Sequence, residues 1–203
     1  MNAPTNVHLE LTSKCINGCY MCPRTILKGT YDEKDISLNV VQKILDVNPK
    51  NITMLGNWGD PIYHAQFPEI INLMGKHKQK FIVITIGTGF DIDWWGEVYN
   101  SYEDNPQSKS SWEFTLDGLK HSAGIYRVGA NFDQTFNAMK LGARLGKSII
   151  WNFIVLSTNE NDVHEAKILA EDHGIVFRVM FSDRLQIKDT ENRWAPSISE
   201  KRS

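Results

Sequence analysis

Residues 7–22 read VHLELTSKCINGCYMC, and this stretch decides how the rest of the chain is read. Its first five residues alternate apolar and polar side chains, the pattern of a strand with one buried face. Directly after them come Cys15, Cys19 and Cys22, spaced C-x3-C-x2-C, and the 203-residue chain has no other cysteine. A secreted disulfide scaffold carries an even number of cysteines spread along the chain, so three clustered thiols point instead to a metal or a metal cluster. Asn17 and Gly18 supply a tight turn that brings the three thiols toward one point. Thiolates are soft ligands that suit zinc or iron–sulfur clusters. Three of them satisfy three irons of a four-iron cube and leave the fourth open.

Working outward from that loop, apolar runs and helical periods alternate. Ser37 is positioned to cap a helix over 38–46, with Val40, Val41, Ile44 and Leu45 on one face. A short strand is expected over 52–55, ending in the turn Gly56-Asn57-Trp58-Gly59-Asp60-Pro61, then a helix over 67–78. The run 81–84 is β-branched and apolar and breaks at Gly87 and Gly89; a short helix over 92–99 and a polar loop over 100–110 containing Pro106 follow. Further expected elements are a strand at 112–116, a helix at 132–145, a strand at 149–156, a helix at 162–173 closed by Gly174, and a last strand at 176–180. Strand–helix alternation of this kind implies βαβ crossovers and a parallel sheet. Six such strands are too few for a complete eight-fold barrel. The expectation is an α/β chain folded as a partial (β/α)6 TIM-like barrel with a curved, parallel, six-stranded sheet; a flat doubly wound sheet is the alternative. Either way the site belongs at the carboxyl ends of the strands. The domain expectation is one core over 1–181 and a polar tail over 182–203.

Lys and Arg total 22 against 24 Asp and Glu, a formal charge of −2 that argues against bulk nucleic-acid or polybasic membrane binding. No apolar run approaches the ~20 residues of a membrane span, and residues 1–6 lack the plan of a signal peptide, so a cytoplasmic location is expected.

The cysteine spacing, with the strand before it, the turn Gly59-Asp60-Pro61, and the stretch from Asp117-Gly118-Leu119 to Tyr126-Arg127, resembles the radical S-adenosylmethionine (SAM) superfamily over roughly residues 6–181. It looks most like the SPASM/twitch-type branch, reduced to a minimal core because no cysteine follows Cys22 to hold an auxiliary cluster. The resemblance implies that Cys15, Cys19 and Cys22 hold a [4Fe–4S] cluster whose open iron chelates SAM. It also implies reductive cleavage to a 5′-deoxyadenosyl radical and hydrogen abstraction from a substrate. A peptide or protein side chain is favoured as that substrate over a small metabolite or nucleotide, and the electron donor is of the flavodoxin or ferredoxin kind. Gly59, Asp60 and Pro61 correspond to the family's Gly-Glu-Pro turn beside the methionine amino group, with Asp60 one methylene short. Thr85-Ile86-Gly87 stands where relatives often carry Thr-Asn-Gly. Met21 replaces a common aromatic residue and is expected to pack on adenine. Thr115 resembles a serine that faces SAM, and Arg127 and Asn152 are candidates for its carboxylate or ribose.

Each of these residues has a plainer reading. The cysteines could hold a structural zinc completed by His8 or His64, in a non-catalytic metal- or SAM-binding regulatory module. Thr115 and Asn152 could be ordinary strand polar residues, and Arg127 could pair with Asp117. Trp94, Trp95 and Trp112 read as packing residues, and His121, His164 and His173 as solvated or capping ones.

Overall fold

Each strand of the sheet carries side chains of two characters, and this sorts the chain into layers. In a computed structural model, which describes residues 4–104, 109–182 and 194–197, six strands form one parallel sheet. They are β1 (Asn6–Leu9), β3 (Asn51–Met54), β4 (Phe81–Thr85), β5 (Ser111–Thr115), β7 (Ser148–Ile154) and β8 (Val176–Met180). Their order across the sheet is their order along the chain, β1-β3-β4-β5-β7-β8, and every neighbouring pair is parallel. A doubly wound sheet reverses its order at a switch point. This one never does, which excludes the flat alternative and leaves the partial barrel.

Five helices connect the strands: α2 (Leu38–Asp46), α3 (Phe67–Lys76), α4 (Ile92–Asn100), α6 (Phe132–Arg144) and α7 (Val163–Glu171). Successive helices pack on one another around the outside, α2 on α3, α3 on α4, and α4 on α6. Ser37 takes the N-cap position of α2, as expected, but its side chain makes no capping bond. Asp91 and Asn131 do cap α4 and α6, accepting from the backbone N–H of Trp94 and Gln134. The helix expected from 162 begins instead with a 3-10 turn, Glu160–Asp162. Pro106 and most of the tail lie outside the described residues.

On β5 the alternation is plain. Trp112 and Phe114 are fully buried toward the helices, where Trp112 meets the rings of Phe67, Phe81, Trp95, Tyr99 and Tyr102. Trp112 Nε1 also donates to the Tyr102 hydroxyl at 2.7 Å, so its polar atom is satisfied. Trp94 stacks on Phe67 and Phe90, and the buried Trp95 packs on Tyr99 and Phe114, so all three tryptophans are packing residues. The intervening Glu113 and Thr115 point the other way, into a cavity on the inner face. The same alternation puts Asn152 and Ile154 of β7 and Met180 of β8 on that face.

Smaller elements crowd the carboxyl end. The cysteine loop contains a two-residue strand β2 (Gly18–Cys19) and leads into a short helix α1 (Pro23–Ile26). A short helix α5 (Ala123–Tyr126) runs into β6 (Arg127–Val128), which pairs antiparallel with β2. A 3-10 turn, Pro61–Tyr63, follows β3, and β4 ends where Gly87 takes a φ of +74°. No described helix is long and apolar enough to cross a membrane.

Trp112→Ala should remove the hub of the outer aromatic layer and cost about 3–5 kcal/mol of unfolding free energy, read by urea denaturation.

Candidate active site at the carboxyl ends of the strands

The cysteine loop follows β1 and is fastened on several sides. On its near side Asp35 accepts from Thr12 Oγ1 at 2.5 Å, from Lys14 Nζ at 2.7 Å and from the Ala65 backbone at 3.2 Å. Three donors on one carboxylate hold its pKa down at about 2, so it stays ionised well into acid. The Asp60 backbone N–H donates to Lys14 O at 2.9 Å, joining the turn after β3 to the loop. Gly59 belongs to that turn for a steric reason: a Cβ there would collide with the carbonyl oxygens of Thr12 and Lys14. The close approach that this glycine permits is to the cysteine loop's own backbone. Within the loop, the buried Arg24 donates to the Asn17 carbonyl.

On the far side stands an ion pair whose carboxylate is buried and whose guanidinium is partly so. Asp117, just past β5, is 1% exposed; it accepts from the Ile154 backbone at 2.9 Å and from Arg127 Nε at 2.5 Å. Burial works against the Arg127 guanidinium, but Asp117, followed by Cys19, outweighs it and holds the group charged. Its Nη1 reaches Cys19 Sγ at 3.8 Å. Arg127 thus takes the plainer of its two expected partners, while still bordering the cavity.

Cys15, Cys19 and Cys22 are free thiols, each partly exposed, and all three line one cavity of about 420 Å³. Burial, with Asp60 second, pushes the Cys15 thiol up to about 12; burial also raises Cys19, with Arg127 pulling the other way. Loading a metal therefore displaces protons, and affinity falls as the pH is lowered. Three thiols on one cavity are a donor set that a cluster could take, one thiolate per iron. Among the described residues, no three His, Cys, Asp or Glu side chains converge on one ion position, as a closed zinc site needs. His64 has both ring nitrogens engaged, Nε2 with Ile36 O at 2.7 Å and Nδ1 with the Gln66 N–H at 3.0 Å. A cube accepts one thiolate per iron and does not require that convergence.

The cavity also brings together Gly59, Asp60, Thr85, Thr115, Arg127 and Asn152. Pro61 and Met21 do not border it. Pro61 is buried in the 3-10 turn, and Met21 packs with Leu156, Trp194 and Tyr126 rather than into the space where an adenine was expected. Thr115 offers the cavity a hydroxyl without a partner among the described residues. Asp60 and Thr85 are already engaged with each other. Asp60 Oδ2 accepts from Thr85 Oγ1 at 3.0 Å and from the Ile86 N–H at 2.8 Å, Oδ1 accepts from the Ile62 N–H, and Thr85 Oγ1 accepts from the Gly87 N–H. Asp60 thereby ties the end of β4 to the turn after β3. Asn152 belongs to a triad: its Nδ2 donates to Glu113 Oε2 at 2.9 Å, and Arg178 Nη1 donates to the same oxygen at 3.0 Å and to Asn152 Oδ1 at 3.2 Å.

Glu113, Arg178 and Asn17 were missed in the sequence. The first two carried a usable signal, a charge at an inward position of an otherwise apolar strand (SWEFT, VFRVM). Asn17 Oδ1 is buried with no hydrogen-bond partner among the described residues, while its residue lines the cavity.

No protein-family profile matches the chain, and no curated protein sequence does. Solved structures do match in fold. Streptococcus suis SuiB bound to S-adenosylmethionine superposes with a TM-score of 0.72 at 14% identity, over 98% of this chain and 44% of SuiB. The structure of anSMEcpe with bound AdoMet gives 0.65 at 17% identity, over 88% of this chain and 50% of its own. TYW1 with a lysine–pyruvate adduct gives 0.55 at 14%, over 89% and 64%. The chain thus has the partial-barrel fold of these proteins and spans less than two thirds of the length of each.

Burial, against the hydrogen bonds from Ile86 and Thr85, raises Asp60 from its ordinary 3.8 to about 6. The folded chain then holds this proton more tightly than the unfolded one, so the group's contribution to stability is full below about pH 4 and declines as the pH rises to about 6. Asp60→Asn should flatten that part of the stability–pH curve by on the order of 3 kcal/mol, read from urea melts at pH 4 to 7. Asp117→Ala should cost about 3–5 kcal/mol in the same assay by stranding the Arg127 charge.

Proposed function

We propose that this chain is a radical SAM enzyme core. The observation that carries the reading is the set of three free thiols, spaced C-x3-C-x2-C after β1, lining one cavity with the strand-end groups of a partial barrel. The fold likeness to SuiB and anSMEcpe, each solved with SAM bound, supports it. In this reading Cys15, Cys19 and Cys22 would hold a [4Fe–4S] cluster, and the chemistry it would supply there is one-electron reduction of SAM leading to hydrogen abstraction from the substrate.

The chain's own residues position and shield. Thr115 would offer its hydroxyl to SAM, and Asn17 lines the same cavity. Gly59 and Pro61 set the course of the turn beside the thiols, and Asp60 and Thr85 hold that turn in place through their mutual bond. Arg127 and Asn152 border the ligand, with Asp117 and Glu113 fixing their orientation. Met21 supports the loop from behind. Charged and polar groups that are already locked in place need little reorganisation when the substrate arrives.

A peptide or protein side chain is the favoured substrate class over a small metabolite or nucleotide. A structure of SuiB bound to its precursor peptide SuiA, sharing this fold at a TM-score of 0.70, supports that choice. A flavodoxin- or ferredoxin-type protein would supply the electron.

Anaerobic reconstitution with iron and sulfide, followed by dithionite and SAM, should yield 5′-deoxyadenosine. Cys19→Ala should lose the brown chromophore and the product together, and Thr115→Ala should weaken SAM binding roughly tenfold. A fully loaded cluster that neither binds nor cleaves SAM would refute the assignment, and one zinc per chain without colour would favour the regulatory module.

A further inference from the structure

Trp194 lies far along the chain from the cysteine loop and ends up against it. It is 6% exposed and packs with Met21, Leu156 and Tyr126. Its ring centroid is 5.0 Å from Tyr20 and 5.2 Å from Tyr126, the latter edge-on. The contact is tied down by polar bonds as well. The Ser157 N–H donates to Trp194 O at 3.1 Å, and Ser197 donates to the Glu160 carboxylate from its backbone at 2.6 Å and its hydroxyl at 2.9 Å. One indole therefore touches the loop between Cys19 and Cys22, the α5–β6 segment that carries Arg127, and the end of β7.

We propose that Trp194 is a positioning residue for the cysteine loop, fastening its Cys22 side and excluding water from it. Tyr20 and Met21 form the two-residue bridge between two of the three thiols, so fixing their side chains fixes how Cys19 and Cys22 are presented. Without the indole, Met21 faces solvent and the bridge opens locally while the barrel stays folded. Cys15 is held by other groups, the Asp35 cluster and the Lys14–Asp60 backbone bond, and is independent of the clamp. The link from clamp to cluster rests on the function proposed above; the clamp itself does not.

The test uses the full-length apo chain, labelled with iodoacetamide and read cysteine by cysteine by peptide mass spectrometry. Trp194→Ala should raise the labelling rate of Cys22 roughly tenfold while leaving Cys15 at its wild-type rate, and Trp194→Phe should restore protection to within about twofold. Glu160→Ala, which loosens the polar tie without touching the ring contacts, should raise the Cys22 rate by about two- to threefold. Wild-type labelling at Cys22 in Trp194→Ala would overturn the proposal. Equal acceleration at all three cysteines would overturn it too, because Trp194 would then be stabilising the whole domain. In a second arm, the reconstituted Trp194→Ala cluster should bleach in air several times faster than the wild type. Selective Cys22 exposure in the apo chain, with no cluster formed by either protein, would sink the metal assignment and leave the clamp standing.

Discussion

The ion pair of Asp117 and Arg127 is the constraint on which the site depends. Asp117 stands where β5 ends, takes the Ile154 N–H from β7, and holds the guanidinium whose other arm reaches Cys19. One carboxylate thus couples two barrel strands to a loop that begins after a third, β1. A charge so deeply buried is costly unless its lone pairs are filled, and here both oxygens are used. Asp35 does the corresponding work at the loop's other end, with Lys14 and Thr12 as its donors. Asp60 performs it between β3 and β4. Three carboxylates, each at a junction, set the thiols against the strand ends.

The winding of the sheet explains why such junctions exist. Because strand order follows chain order, the five connecting helices fall on the outside and the strands share one inner face. The outer face is filled with tryptophan and phenylalanine, while the inner face carries Glu113 on β5 and, in register across β5, β7 and β8, Thr115, Asn152 and Arg178. A sheet buried evenly on both faces would have no reason to place four polar residues there. Among the described residues β8 is the last strand of the sheet, and its Val176, Val179 and Met180 are exposed.

Much of this was legible in the sequence. The helix over 38–46 and the last strand over 176–180 have the expected bounds, because amphipathic period and apolar alternation are local properties. The number of strands followed from counting strand–helix units, while their order, which separates the partial barrel from the flat alternative, came only with the structure. What stayed hidden depends on contacts between distant segments. The pairing of Gly18–Cys19 with Arg127–Val128 joins two dipeptides too short to carry a pattern. Asp60 reads as a glutamate shortened by one methylene, and nothing local shows that its side chain is consumed by Thr85 and by backbone donors. Met21 reads as facing the cavity, and its contact with Trp194 turns it away. Composition marks residues 182–203 as a polar tail, and one tryptophan within it reaches the loop.

The central claim is that three thiolates leave one iron of a four-iron cluster open to SAM. Mössbauer spectroscopy on protein reconstituted with 57Fe tests it most directly. Adding SAM should change the isomer shift of one iron in four and leave the other three unaltered. Four irons that respond identically, or not at all, would contradict the account.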